Sequence, residues 1–334
     1  MILSTPANIS YLTGFNSSSS YLLVSEKENI YFTDSRYTEE VKPKLKGVAT
    51  LQRINGSVFE LIARASLDLG LSRVGFEERQ MPYAEYKKIR ESLKTKAYLI
   101  PTHNLVETLR QVKEPEELTK IREALKITAL SLEFIKGFIR PGMKELEVAG
   151  ELERFIRYHG ASDTSFDVIV ASGPNSAFPH HAPGQRKIHK NEPVLIDAGV
   201  DYLGYKSDLT RVYFLDKINS LTRRIYGIVL KAQEKAIKGI KPGEDIAAID
   251  TLARKYIADK GYAKYFGHSL GHGIGLQTHE APAISAKNDG IILPGMVFTV
   301  EPAVYLPGRF GIRIEDMVLV TKKGCEVLSE PIDK

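Results

Sequence analysis

The chain repeats its own pattern at a constant offset, and this duplication limits the folds that it can adopt. Pro141-Gly142 recurs as Pro242-Gly243 and Gly160 recurs as Gly261, an offset of 101 residues in both cases. Each copy has the pattern of a helix, a Pro-Gly turn, a second helix and a terminating glycine. The repeat predicts two similar halves that face each other about a pseudo-two-fold axis.

Acidic residues follow each copy in a matching arrangement. A segment with histidine and Ala-Pro comes first, "HHAP" at 180–183 and "HEAP" at 279–282. Two strand-like runs then carry one acid each: Asp197 and Asp208 in the first copy, Glu301 and Glu315 in the second. Four carboxylates that meet at the axis would repel one another, and their burial is costly unless a cation is bound. The arrangement predicts a site for divalent ions such as Mn²⁺, with space for two ions roughly 3.5–4 Å apart.

A histidine in "GHSLGHGIG" is the candidate for a fifth ligand. The glycines at 271, 273 and 275 disfavour a helix, so His268 and His272 are predicted on a strand. Residues four apart on a strand point to the same face, which would turn both rings toward the acids. The helical zinc motif H-E-x-x-H is absent, because "HEAPA" lacks its second histidine.

Length and composition exclude several classes of protein. At 334 residues the chain exceeds the usual size of a single core, so two domains are expected. Its 46 basic and 41 acidic residues are spread along the chain, unlike the basic stripe of a nucleic-acid binder. No apolar run is long enough to cross a membrane, and the start resembles no signal peptide. The single Cys325 favours a reducing cytoplasm.

The first hundred residues alternate strand-like and helical patterns. A hairpin is predicted around Lys27-Glu28-Asn29, followed by two helices, "VFELIARASLDLG" and "YAEYKKIRESL", and two strands, "RVGFEE" and "AYLIPT". The opening "STPANISYLTGF" is interpreted as the end of a strand unit. These patterns predict a small α/β domain at 1–108. A second domain at 109–334 begins before a long helix that starts at Pro115 and stops at Pro141-Gly142.

Several motifs together resemble one known family, the pita-bread metallopeptidases, in their proline-specific branch of Xaa-Pro aminopeptidases and Xaa-Pro dipeptidases. The motifs are "LRQVKEPEEL", "IDAGVDYLGYKSDLTR", "HSLGHGIG", "THEAP" and "VEPAVYLPGRFGIRIED". "YLTGF" and "YFTDSRY" also resemble the N-terminal domain of that branch. The resemblance implies an α/β (α+β) fold, with a small N-terminal domain and a C-terminal pita-bread domain that contains the duplication.

The resemblance also implies a metal site and its ligands. All five positions match residues of this chain: Asp197, Asp208, His272, Glu301 and Glu315. In the family pattern Asp208 and Glu315 bridge two divalent ions, Asp197 holds one, and His272 and Glu301 hold the other. The metal is expected to be Mn, with Co or Zn as alternatives, and the ions would lower the pKa of a water to yield a hydroxide nucleophile.

The same resemblance assigns roles to other residues. His279 stabilises the oxyanion by donating to it, Glu301 also shuttles a proton, and His180 and His268 shape the pocket. Arg313 is expected on the same strand as Glu315, either pairing with a ligand carboxylate or orienting the substrate. The resemblance also implies a peptide substrate with proline second, and a homodimer.

Three functions stay open from the sequence. The first is an Xaa-Pro aminopeptidase and the second is an Xaa-Pro dipeptidase, which needs a cation to bind the substrate's C-terminal carboxylate. The third is a non-catalytic peptide-binding module of the same fold, or a metal-free hydrolase of that fold. No residue near the motifs is an evident carboxylate clamp, and "YFTDSRY" resembles short bacterial aminopeptidases. The aminopeptidase is therefore the preferred hypothesis.

Overall fold

The computed structural model describes residues 1–15 and 17–329 and divides the chain into two compact units, Met1–Leu109 and a second unit from Arg110. The strands of the first unit are β1 (Ile2–Leu3), β2 (Ser20–Leu23), β3 (Ile30–Thr33), β4 (Thr50–Arg53), β5 (Arg73–Glu77) and β6 (Tyr98–Thr102). Its helices are α1 (Pro6–Thr13), α2 (Thr38–Val41), α3 (Val58–Asp68) and α4 (Tyr83–Leu93), and α5 (Leu105–Arg110) leads into the second unit. The strands form one mixed sheet in the order β4-β3-β2-β1-β5-β6.

Local sequence signals account for most of this unit. β2 and β3 pair antiparallel across the predicted hairpin, whose turn is closed by a Ser25 hydroxyl bond to the carbonyl of Glu28 at 2.6 Å. The Ser57 side chain caps α3, and Gly70 follows that helix with φ of 73°, a left-handed conformation that glycine adopts without strain. The predicted hairpin, helices and strands of this unit are confirmed.

The opening segment differs from its prediction, because residues 6–13 form helix α1. The carboxylate of Glu77 accepts hydrogen bonds from the backbone N–H groups of Ser4 and Thr5, at 2.6 and 2.8 Å. It therefore satisfies donors just before the start of the helix, where negative charge is favourable. Glu77 lies more than seventy positions further along the chain, so no local pattern reveals this stabilisation.

The second unit is a mixed α/β structure. Its helices are α6 (Pro115–Phe138), α7 (Glu145–Tyr158), α8 (Ser220–Gly239) and α9 (Ile246–Asp259). Its strands are β7 (Asp163–Thr164), β8 (Ile169–Ser172), β9 (Pro193–Ala198), β10 (Val200–Tyr202), β11 (Tyr205–Lys206), β12 (Leu209–Phe214), β13 (Gly271–Gly273), β14 (Glu280–Ile284), β15 (Val297–Val300), β16 (Ala303–Leu306), β17 (Phe310–Arg313), β18 (Asp316–Val320) and β19 (Cys325–Val327). Within the described ranges, no helix is both long enough and apolar enough to cross a membrane.

The duplication predicted from the sequence is present in the order of elements. Helices α6 and α8 end at Phe138 and Gly239, and α7 and α9 begin at Glu145 and Ile246, an offset of 101 residues each time. The sheet order β12-β9-β8 of the first half corresponds to β18-β15-β13 of the second. The aligned Ile156 and Ile257 are both fully buried, and burial of such a side chain contributes roughly 1.5–3 kcal/mol.

One buried ion pair connects the two halves. Arg211 on β12 donates to Asp316 on β18 at 2.8 Å and to the backbone carbonyl of Glu315 at 2.5 Å. Both side chains are at most 2% exposed. Removing one partner of such a pair typically costs about 3–5 kcal/mol, because the other charge stays buried without compensation. The strands that carry the acids of the two halves are therefore held against each other.

Candidate metal centre

The four acids of the duplicated strands lie at equivalent ends of two strand pairs. Asp197 is in β9, and Asp208 immediately precedes the paired strand β12. Glu301 immediately follows β15, and Glu315 immediately precedes its paired strand β18. In each half a short hairpin separates the two acids, β10–β11 in the first and β16–β17 in the second. This topology places one acid on each arm of both strand pairs.

The structure brings three predicted ligands together closely enough to share an ion. Ligand atoms of Asp208, His272 and Glu315 all lie within 4.8 Å of one another. The Nε2 atom of His272 is 3.5 Å from Oδ2 of Asp208 and 3.3 Å from Oε1 of Glu301. Asp197 lies close enough to this group for repulsion from its carboxylate to help raise the pKa values of Asp208 and Glu315.

The unmet hydrogen-bonding capacity of these acids fits a bound cation. Oδ1 of Asp197, Oδ1 of Asp208 and Oε1 of Glu315 are buried and accept no hydrogen bond from any residue in the described part of the chain. Buried oxygens are normally paired, so three such atoms in one cluster need a partner. Divalent cations are bound by carboxylate oxygens of this kind. The residues present therefore fit the metal ions that the sequence implies.

The charges in the cluster also fit bound metal ions. Burial, with repulsion from neighbouring carboxylates, raises the pKa of Asp208 and of Glu315, and burial raises the pKa of Glu301 to about 8. Burial also lowers the pKa of His272 to about 4, so its ring is neutral. Its Nδ1 lies 3.2 Å from the carbonyl of Gly273, a contact that places the proton on Nδ1 and leaves the Nε2 lone pair for an ion.

Two geometric expectations about the strands were wrong. Strand β13 begins only at Gly271, so His268 lies in the preceding loop and not on the strand with His272. At Gly271 the backbone passes so close to the carbonyl of Thr299 that a side chain would collide with it, so the strand begins at a position that requires glycine. Arg313 ends β17 whereas Glu315 precedes β18, so these two residues are not on one strand either.

Arg313 nevertheless reaches the acid cluster. Its Nη2 donates to Oδ2 of Asp197 at 2.6 Å and its Nε donates to the hydroxyl of Thr210 at 3.0 Å. The Thr210 hydroxyl donates in turn to Oε2 of Glu315 at 2.7 Å. Arg313 therefore pairs with one predicted ligand directly and orients another through Thr210. No sequence pattern marks Thr210, since a lone threonine on a strand carries no signal.

Tyr305, which no sequence pattern marks either, contacts two of the predicted site residues. Its hydroxyl accepts from Nη1 of Arg313 at 2.6 Å and lies 3.2 Å from Nε2 of His268. Burial raises the pKa of Tyr305 to about 12 and lowers the pKa of His268 to about 4, so both groups are neutral near pH 7. Tyr305 thus links the loop of His268 to Arg313.

A cavity of about 820 Å³ opens onto the cluster. It is lined by all five predicted ligands and by the other predicted site residues, His180, His268, His279 and Arg313. The His279 and His272 rings lie 4.2 Å apart between centroids. Apolar residues such as Phe166, Pro179 and Pro183 form further parts of the wall. The structure therefore brings together every residue that the sequence nominated for the site.

Comparison with known proteins agrees with this geometry. Residues 119–322 match the model of metallopeptidase family M24, and residues 1–112 match the creatinase/prolidase N-terminal domain. The uncharacterized peptidase YqhT of Bacillus subtilis is 39% identical over 98% of this chain and 93% of the relative.

Solved structures are similar over nearly the whole chain. A Xaa-Pro dipeptidase from Bacillus anthracis is 39% identical with a TM-score of 0.95, covering 99% of this chain and 93% of that one. An X-Pro aminopeptidase from Thermotoga maritima is 37% identical with a TM-score of 0.90, covering 97% and 92%. The prolidase from Pyrococcus furiosus is 32% identical with a TM-score of 0.90, covering 98% and 95%. The chain belongs to metallopeptidase family M24, in its proline-specific pita-bread branch, and is a metal-dependent peptidase.

Proposed function

We propose that this protein is an Xaa-Pro aminopeptidase, which releases the first residue of peptides that carry proline second. The observation that carries the proposal is the group of buried, unpaired carboxylate oxygens of Asp197, Asp208 and Glu315 beside His272, at the base of a large cavity. Support for the substrate class comes from the Xaa-Pro peptidases among the similar structures.

The metal ligands in this proposal are the five residues around the cluster: Asp197, Asp208, His272, Glu301 and Glu315. As the family resemblance implies, Asp208 and Glu315 are assigned as the ligands that two ions would share, and their ligand atoms lie within 4.8 Å of each other and of one in His272. Four carboxylates and one imidazole suit Mn²⁺, with Co²⁺ or Zn²⁺ as alternatives. When bound, the ions would supply an acidified water as nucleophile and polarise the substrate carbonyl.

The chain's own side chains would handle the protons. We assign His279, whose ring lies beside His272 at the cavity surface, to donate a ring N–H hydrogen bond to the substrate carbonyl oxygen as negative charge develops there. Glu301 is assigned to take up a proton at a carboxylate oxygen and pass it to the leaving proline nitrogen.

The remaining site residues hold the substrate and the acids. His180 and His268 line the cavity beside the cluster and are assigned to contact the peptide. Arg313 is assigned to keep Asp197 and, through Thr210, Glu315 in place. Proline carries no N–H, so a protease that grips that hydrogen cannot bind the peptide, whereas a site that acts through the carbonyl oxygen can.

The choice of aminopeptidase rests on the cations of the cavity. Among the described residues that line it, Arg313 alone is a lysine or arginine, and its donors are engaged by Asp197, Thr210 and Tyr305. No lining lysine or arginine is therefore left to bind a dipeptide's C-terminal carboxylate. A volume near 820 Å³ lies toward the upper end for small-ligand pockets, which leaves space for residues beyond proline.

The second candidate is an Xaa-Pro dipeptidase. Two of the similar structures favour it, because they are a Xaa-Pro dipeptidase from Bacillus anthracis and a prolidase from Pyrococcus furiosus. Within the cavity, His180 could bind a carboxylate when protonated. The third hypothesis, a non-catalytic peptide-binding module, is not retained, because the chain is a metal-dependent peptidase with a complete set of candidate ligands.

A substrate comparison distinguishes the two enzymes. We expect the Mn²⁺-loaded protein to cleave an Xaa-Pro-Yaa tripeptide and longer peptides at least as fast as an Xaa-Pro dipeptide, since nothing in the lining closes the cleft by binding the dipeptide carboxylate. Release of the first residue is measured by mass spectrometry, with an Xaa-Ala-Yaa tripeptide as the control that should stay intact. Cleavage of the dipeptide alone would establish the dipeptidase instead.

The metal-free protein should become less stable as the pH rises from 6.5 to about 8. Between these values folded Glu301, with its pKa of about 8, still holds a proton that the unfolded chain has released, so rising pH favours unfolding. The raised pKa values of Asp208 and Glu315 act in the same direction as that of Glu301. The lowered pKa values of the buried histidines oppose it only below their ordinary value of 6.5, and the lowered pKa of the N-terminal amine, one group against three, opposes it within the interval.

Calorimetry at the two ends of that interval, with and without Mn²⁺, measures this effect. Metal ions replace the protons of the acids, so the metal-loaded protein should lack the decline and the gain in Tm from Mn²⁺ should grow with pH. A metal-free Tm that rises between pH 6.5 and pH 8 would contradict the protonated state assigned to Glu301.

Three further proposals concern the whole protein. We propose a homodimer, which light scattering after size-exclusion chromatography would test. We also propose a cytoplasmic location, supported by the single Cys325.

We further propose that residues 1–108 and 109–334 act as the N-terminal and catalytic domains, with no nucleic-acid or membrane partner. Expression of 109–334 alone would test that division.

A further inference from the structure

A buried carboxylate lies directly next to the proposed proton donor. His279 lines the cavity, whereas the side chain of the following residue, Glu280, is only 6% exposed. His279 lies in the turn before strand β14, and Glu280 is the first residue of that strand. Glu280 is not among the described residues that line the cavity, so its buried carboxylate is directed away from the cavity and can fix the backbone next to His279.

Two cations from the start of the second unit meet this carboxylate. Lys113 donates from Nζ to Oε1 of Glu280 at 2.9 Å, and Arg110 donates to Oε2. The side chains of Lys113 and Arg110 are 0% and 2% exposed. Both belong to "LRQVKEPEEL", a motif to which the proposed function assigns no role. We call Arg110, Lys113 and Glu280 the anchor.

The anchor also fixes the turn that precedes His279. Arg110 donates to the side-chain oxygen of Gln277 at 3.0 Å, and the Gln277 N–H donates to Oε2 of Glu280 at 3.3 Å. The backbone N–H of Lys113 donates to the carbonyl of Gly295 at 2.9 Å, next to the strand that leads to Glu301. The anchor therefore ties the residues on both sides of His279 to the same sheet.

The first half of the duplication has an anchor of the opposite polarity. In "HHAP" the cavity residue His180 is followed by His181, whose Nε2 lies 2.9 Å from the buried carboxylate of Glu145. Asn175 donates to the same carboxylate at 3.0 Å. In both halves the residue after a cavity histidine contacts a buried side chain of complementary chemistry, although His181 also lines the cavity and Glu280 does not.

We propose that Arg110 and Lys113 are positioning residues that act through Glu280 to hold His279 at the substrate carbonyl. This inference rests on the proposed function, because it takes His279 to be the proton donor. Small displacements of a catalytic group can cost about 100-fold in rate, so a buried anchor directly behind it has a large effect on turnover.

Lys113→Met tests the inference without leaving an unpaired charge, because Arg110 and Glu280 remain as a balanced pair. We expect kcat to fall about 10- to 100-fold, with KM and metal content nearly unchanged. In the metal-free protein, hydrogen–deuterium exchange should accelerate in the peptide that spans residues 277–284. Arg122→Met is the control, since Arg122 forms a half-exposed pair with Glu326 and should change neither quantity.

Combination with His279→Ala separates positioning from a general structural role. If Lys113 acts through His279, Lys113→Met should lower kcat in the wild-type background and change it less than about twofold in His279→Ala. Equal losses in both backgrounds would overturn the inference and leave the proposed function standing. An unchanged kcat in His279→Ala would overturn both. Should Lys113→Met not fold, Lys113→Gln replaces it, because it also leaves Arg110 and Glu280 as a balanced pair, with the same expected dependence on His279.

Discussion

Asp208→Asn should abolish metal binding and peptidase activity together. Asp208 has a buried oxygen with no hydrogen-bond partner in the described part of the chain. It also has a ligand atom within 4.8 Å of ligand atoms of His272 and Glu315, so it lies inside the proposed ligand cluster. Loss of an outer partner typically weakens metal affinity about 10- to 100-fold, and loss of a bridging ligand should exceed that range. Metal content by atomic spectroscopy and binding by chelator competition are the measurements.

The same variant should not damage the metal-free fold. Burial and the neighbouring carboxylates disfavour the charge of Asp208, as its raised pKa shows. Replacement by neutral Asn removes part of this repulsion, so the metal-free variant should melt no lower than the metal-free wild type at pH 8. Asp216→Asn is the matched control, because Asp216 is exposed and bonds only the N–H of Lys217 among the described residues. Retention of both ions by Asp208→Asn would contradict the bridging assignment.

His279→Ala should separate catalysis from metal binding. Its ring lines the cavity beside His272, but its ligand atoms are not part of the Asp208–His272–Glu315 cluster. A positioned proton donor contributes about a hundred- to ten-thousand-fold, so kcat should fall within that range while metal content stays nearly whole. Steady-state kinetics on an Xaa-Pro-Yaa peptide, with metal analysis of the same preparation, measure both.

His189→Ala is the control for this variant, since His189 is exposed and does not line the cavity in the part of the chain described. It should leave both kcat and metal content unchanged. If His279→Ala lost its metal, His279 would have to be a ligand, and the assignment of five ligands would be wrong. Asp208→Asn and His279→Ala should therefore differ in metal retention, although both lose turnover.

The strands that carry the first two acids were predicted correctly from the sequence. The structure has Asp197 in β9 and Asp208 immediately before β12, and these two strands pair with each other. Short-range geometry was less reliable where a strand starts or ends, as with His268 and Arg313. Strand ends depend on close backbone approaches, such as that of Gly271 to Thr299, which no local pattern contains.

The duplication, the family and the chemical types in the site follow from repeat spacing and motif order, which are properties of the chain alone. Which side chains meet depends on how the chain packs. The Thr210 link from Arg313 to Glu315 spans about a hundred positions, and the contacts of Arg110 and Lys113 with Glu280 span 170 and 167. Such pairs form because a buried charge needs a partner, and the partner is whichever group the packed strands bring within hydrogen-bonding distance.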